Sequence, residues 1–226
     1  MLAPDALAAL TQEGRALSAV LHDLAPEDYT RPTNCPPWDL QELVVHIADS
    51  IRVDEPFPAA GPAVGMWSAA DYYRRPERQT TAYRQGNVDH TRKLARTVLA
   101  ATSAARWFDE VSRGAVATLA EQDLNGVVAI PGRGPMRLSD WVVTRVISVA
   151  AHGLDVALTL GRAPWTTAES LAAVRPVFVS LLGAEPPAGL RWDARTFLAV
   201  ATGRRPLTAG ERALLGSGAE RFPLLS

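Results

Sequence analysis

Cysteine occurs once in the 226 residues, at Cys35, and lysine once, at Lys93. A single thiol excludes an internal disulfide framework and any zinc ribbon built on cysteine. The scarcity of lysine leaves arginine to carry nearly all the positive charge, a skew of the kind set by genome composition. Neither sign dominates, however: the formal net charge is -1, which gives no electrostatic reason to expect nucleic acid or an anionic membrane as a partner. Long apolar runs are missing too, since no segment approaches the roughly 18 uncharged apolar residues that cross a bilayer. The opening MLAPDALAALTQEGRAL places Asp5 and Glu13 where a signal peptide is basic and then apolar. The expectation is a cytoplasmic chain acting on a small molecule, as a monomer or homodimer, without membrane or nucleic-acid contacts.

Apolar residues make up 47% and charged residues 21%, proportions of an ordinary globular chain long enough for one well-buried core. Helical spacing dominates. Leu7, Leu10, Leu17, Val20, Leu21 and Leu24 mark a first helix over 4–24, with Pro4 suited to its first turn and Pro26 beyond its end. After a proline-studded loop, Asp39 reads as an N-cap with Glu42 as its capping-box partner, opening a helix that stops near Pro56. Residues 54–65 are too rich in proline and glycine for regular structure, and form either a lid or a plain surface excursion. Helical pattern resumes over about 67–105, broken near Pro76, and continues over 107–122. NGVVAIPGRGPMRL reads as a hairpin or extended loop, and Ser139 as the cap of a helix ending at Gly161. A helix over about 167–183 and two short patches, 194–202 and 208–215, complete the chain. The predicted class is all-α: a four-helix bundle over 1–185 and a small helical C-terminal extension over 186–226 packed on it.

Two polar stripes cross these helices. Arg145, Ser148, His152 and Asp155 recur at spacings of three, four and three, and so share one helix face. Asp39, Glu42, His46 and Asp49 do the same on an earlier helix. Each stripe is either a solvated face or a wall of an internal site, and bundles gather histidine and carboxylate from facing helices to build such sites. His22 and His90 lack comparable neighbours in sequence and read as ordinary histidines.

CPPWDLQELVVHIAD resembles the tryptophan-to-histidine signature of the DinB-like superfamily, in particular its mycothiol-dependent maleylpyruvate isomerase branch. Arg145 through Asp155, with Gly161-Arg162 beyond, is similar to the second half of that signature, and FLAVATGRRP to the branch's common ending. The resemblance implies a bundle holding one divalent metal, usually zinc, on two histidines and a carboxylate, with an open position for a thiolate or water. His46 and His152 match the histidine ligands. Ser148 stands where the carboxylate belongs, and a neutral hydroxyl is a poor zinc ligand. Asp49, Asp155 or Glu42 is then needed as a third ligand; otherwise His46 and His152 act as free acid–base groups.

Three functions follow. The first is a thiol-dependent isomerase or S-transferase, in which metal lowers the pKa of a mycothiol-like thiol. The second is a metal-free isomerase or cyclase in which Arg145 orients a carboxylate or enolate and His152, polarised by Asp155 or Ser148, moves a proton. The third is a ligand-binding protein that kept the cavity without the chemistry. Cys35 reads as a structural thiol more readily than as a nucleophile. Most of the six tryptophans read as core.

Overall fold

The structure, a computed structural model, describes residues 3–61 and 65–225. Four helices form the bundle: α1 (Ala3–His22), α2 (Leu40–Ile51), α5 (Ala104–Ala120) and α6 (Leu138–Leu160). α1 and α2 each pack on both α5 and α6. Their leucine, isoleucine and phenylalanine positions meet at the centre, where Leu10, Leu17, Leu43, Ile47, Phe108, Leu119, Val142 and Ile147 are fully buried. Around them lie α3 (Ala69–Tyr73), α4 (Thr81–Leu99) and α7 (Ala168–Leu182), followed by α8 (Ala194–Ala201) and α9 (Ala209–Leu215). α4 covers α2 through Ala95 and Val98 against Val45. Phe197, Leu198 and Ala201 of α8 join the main core, while Val200 packs with Leu207 and Ala219 in a smaller cluster.

α6 is long and apolar enough to cross a membrane by length and composition, yet 78% of its most apolar stretch is buried inside the protein. It is apolar because it is the helix most enclosed by others, touching α1, α2, α3, α7 and α8. This burial decides the reading of the stripe on α6: Arg145 and Asp155 are buried and Ser148 and His152 half-buried, so the stripe is an internal wall and not a solvated face.

Local chemistry accounts for most boundaries. Asp39 accepts from the Glu42 amide and Glu42 returns a bond to the Asp39 amide, the expected capping box. Gly161 ends α6 at φ 63°, a left-handed position where glycine carries no Cβ penalty. The expected break at Pro76 is a 3-10 turn, Pro76–Gln79, between α3 and α4. Ser139 is not the cap of α6. The helix starts at Leu138, and the carbonyls of Gly126 and Leu124 accept from the amides of Leu138 and Ser139, so the chain itself satisfies donors that a capping side chain would otherwise meet.

The hairpin is present as β1 (Val127–Ala129) and β2 (Pro135–Arg137), antiparallel with Val128 opposite Met136. Two stretches of the preceding loop extend it: the Ala60 amide donates to Val127, the Ala129 amide to Pro58, and the Trp67 amide to Pro135. Residues 62–64 of the 54–65 loop lie outside the described residues; the part that is described is tied to the hairpin.

Candidate active site

A cavity of about 580 Å³ opens between α2, α3, α4, α6 and the hairpin. α2 brings His46 to it and α6 brings Arg145, Ser148 and His152. The two imidazoles meet edge to face with centroids 5.2 Å apart, and the Trp38 ring lies 4.5 Å, centroid to centroid, from that of His46. The sequence separates these histidines by 106 positions; packing of α2 on α6 joins them.

Each histidine is held through Nδ1. That of His46 lies 3.2 Å from the Thr91 hydroxyl on α4. That of His152 lies 2.9 Å from Asp155 Oδ2, one turn further along α6. Asp155, only 1% exposed, is itself gripped by Arg204, whose Nε donates to Oδ1 at 3.0 Å and Nη2 to Oδ2 at 2.6 Å. Asn34 Nδ2 donates to Oδ1 and the Cys35 thiol to Oδ2. Burial works against ionisation of Asp155, but bonds from His152 and Arg204 outweigh it and hold the carboxyl far below its ordinary range. An acceptor-only carboxylate at 2.9 Å favours the proton on Nδ1 of His152 over a lone pair facing the more distant Arg204 Nη2 at 3.4 Å, and so leaves Nε2 as the basic nitrogen.

Burial lowers the pKa of both imidazoles. For His152 the Asp155 carboxylate opposes the fall, whereas His46, beside His152, His90, Arg145 and Arg78, drops to about 3. His46 is therefore neutral at physiological pH and no proton shuttle there. The two histidines are not an equivalent acid–base pair, because only His152 has a carboxylate behind it.

The positions considered for a third zinc ligand are all committed elsewhere. Ser148 Oγ is 2.8 Å from Ser50 Oγ. Asp49 lines the cavity but pairs with His90 at 2.9 Å and with Arg52 at 3.4 Å. Glu42 closes its capping box and faces Arg92. Cys35 Sγ, a His152 nitrogen and an Asp155 oxygen lie within 4.8 Å of one another. The Cys35 thiol, however, donates to Asp155, and Arg204 already holds the same carboxylate through Nε and Nη2. A dication there would have to displace a guanidinium from a buried carboxylate. The donor set therefore does not fit zinc: two imidazoles are present without an available anionic ligand.

Arg145 makes no salt bridge to Asp155; it donates to the Ser50 carbonyl at 2.6 Å and to Thr144 Oγ1 at 3.0 Å, and lies over the rings of Tyr72 and Trp141. His22 and His90 are ordinary exposed histidines, each contacting an aspartate, Asp109 and Asp49, from another helix. Of the tryptophans, Trp38 and Trp141 line the cavity.

Sequence reasoning missed Arg204, Asn34, Ser50, Tyr72, Arg78 and Arg133. Arg204 had a signal in GRRP, but nothing local said that it reaches back 49 positions to Asp155. Ser50 had a signal too, one helical turn after His46 on α2, whereas Asn34, Tyr72, Arg78 and Arg133 sit in loops, turns or a short helix where no spacing marks them.

No curated protein and no solved structure matches the chain. A family model does, that of the mycothiol maleylpyruvate isomerase N-terminal domain, over residues 10–157. The match spans well over half of the chain and takes in His46, His152 and Asp155, while Arg204 lies beyond it. The bundle with paired helix-borne histidines and the extent of this match show that the chain belongs to the mycothiol maleylpyruvate isomerase N-terminal domain family.

Proposed function

We propose that the protein is a small-molecule enzyme, an isomerase or S-transferase dependent on a thiol such as mycothiol, in which His152 takes over the activation that a metal gives elsewhere. The observation that carries this reading is the chain Arg204–Asp155–His152. It fixes one tautomer, leaves Nε2 as a base, and supplies the negative charge that stabilises an imidazolium once a proton arrives. Family membership favours a thiol as the reactant.

The step balances without a redox partner. Nε2 removes the thiol proton, and the thiolate sulfur adds to an alkene carbon conjugated with a carbonyl. The alkene electron pair moves to the carbonyl oxygen as an enolate, beside the Arg145 guanidinium. Rotation about the resulting single bond and expulsion of the thiolate give the isomerised alkene. Retention of the sulfur, with proton return from His152 to carbon, gives S-transfer instead.

A second reading, a metal-free isomerase or cyclase that needs no thiol, uses the same groups. His152 then removes a proton from carbon, and Arg145 again meets the enolate. The commitment of Asp49, Asp155 and Glu42 to other partners supports both readings over a metal-dependent one.

The test measures zinc in tag-free protein and in Ser148→Glu, and follows maleylpyruvate conversion with and without mycothiol in the presence of a chelator. The proposal expects negligible zinc in the unaltered protein and chelator-resistant, thiol-dependent turnover. His152→Gln should lower that turnover about 10²–10⁴-fold. Conversion without thiol would favour the second reading, and stoichiometric zinc with chelator-sensitive turnover would overturn both.

A further inference from the structure

Another part of the cavity lining has an unusual charge balance. Arg78, Arg133 and Arg145 line it and converge on the Tyr72 ring from three separate segments: the 3-10 turn before α4, the hairpin turn, and α6. Their guanidinium carbons lie 5.5, 5.5 and 5.1 Å from the ring centroid. Arg75 covers Tyr72 at 4.5 Å without lining the cavity, and it is paired with Glu77. None of the three cavity arginines has an ion pair among the described residues. Arg145 donates to the Ser50 carbonyl and the Thr144 hydroxyl and is bonded to the Tyr72 phenol, while Arg78 donates to the Tyr83 hydroxyl and Arg133 to the Gly132 carbonyl.

Guanidinium groups that are partly or wholly buried without a carboxylate partner are costly, because each loses hydration without gaining a full counter-charge. The cost is visible atom by atom: Nε of Arg78 and Nε of Arg133 are buried without a hydrogen-bond partner. Asp49, the carboxylate that lines this cavity, is occupied by His90 and Arg52. Burial resists ionisation of Tyr72, but Arg145, Arg78 and Arg133 outweigh it and bring the phenol down to about 7. The nearest available source of negative charge is thus a tyrosine.

We propose that Arg78, Arg133 and Arg145, gathered around Tyr72, form an oxyanion-binding subsite that takes the carboxylate or phosphate group of the substrate. Guanidinium forks match both groups, and the orphaned Nε donors supply directional bonds that such a group accepts. The hairpin acquires a role here, since its turn carries Arg133 to the cavity. The inference adds a substrate class to the reading above, and rests on it only in placing the reaction in this cavity.

Binding is measured without turnover. Inorganic phosphate and maleate are titrated separately by calorimetry at constant ionic strength, on the whole chain and on Arg78→Gln, Arg133→Gln and His152→Gln. Saturable binding is expected, weakened about ten- to a hundredfold in either arginine variant and retained in His152→Gln. Tight maleate with weak phosphate assigns a carboxylate; the reverse assigns a phosphate. Circular dichroism establishes that each variant is folded, and Arg84→Gln, a cavity arginine outside the cluster, controls for general loss of charge. Absence of saturable binding by both anions, or equal binding in all variants, would overturn the proposal. A failed turnover assay with binding intact would overturn only the reaction assigned to His152.

Discussion

Replacing Arg204 with glutamine removes the guanidinium that clamps Asp155 while keeping side-chain length and polarity. The carboxylate is 1% exposed and the Arg204 side chain 21%, so the pair is shielded from water at the Asp155 end and partly wet at the other. Breaking a buried pair by removing one partner costs about 3–5 kcal/mol. Asn34, Cys35 and His152 remain as donors to Asp155, which places the expected loss at the lower end, about 3 kcal/mol. For a chain of this size that corresponds to a fall in Tm of about 6–12 °C by calorimetry. The effect has a sign in pH. Asp155 is held below its unfolded pKa, so its contribution is complete above that value and lost as pH falls through the folded one. The gap between Arg204→Gln and the unaltered protein should be full at neutral pH and narrow below about pH 4. Arg204 also lowers the pKa of His152; without it, the imidazole titrates at higher pH by NMR, and the acid limb of the rate profile moves up with it. A Tm within 2 °C of the unaltered protein, flat in pH, with an unmoved His152 titration, would refute the reasoning.

Three further outcomes follow from single environments. One tyrosine should ionise about pH 7 in ultraviolet difference absorbance and vanish in Tyr72→Phe, while burial keeps Tyr29 and Tyr73 above their ordinary range. Cys35, pushed up to about 12 by burial and Asp155, should alkylate slowly at mildly alkaline pH, and faster in folded Asp155→Asn because the carboxylate no longer opposes the thiolate. A Cβ on Gly134 would meet Trp67 Nε1 at 2.6 Å and Cδ1 at 2.7 Å. Gly134→Ala should therefore cost about 1–3 kcal/mol in denaturant unfolding and, by shifting the hairpin turn beside Arg133, weaken anion binding.

Helices were the most legible feature because their causes are local. Capping at Asp39, the left-handed stop at Gly161 and the proline break before α4 each depend on residues within one turn. Ser139 misled for the reason that α6 starts against a distant carbonyl pair, which no local pattern announces. The stripe on α6 was legible as a stripe, but its direction was not: periodicity says which side chains share a face and nothing about what that face meets.

The sequence by itself determined the helical segments, the placement of each histidine on a particular helix face, and the presence of a serine, Ser148, one turn before His152. Those are matters of residue identity and of spacing within a few turns. Only the tertiary structure decided which charges meet. It brought Arg204 onto Asp155, gave Asp49 to His90, and set Arg78, Arg133 and Arg145 around one tyrosine. Coulomb and desolvation energies depend on separation in space and on the water excluded between groups. For residues tens of positions apart on different elements, packing alone fixes both quantities.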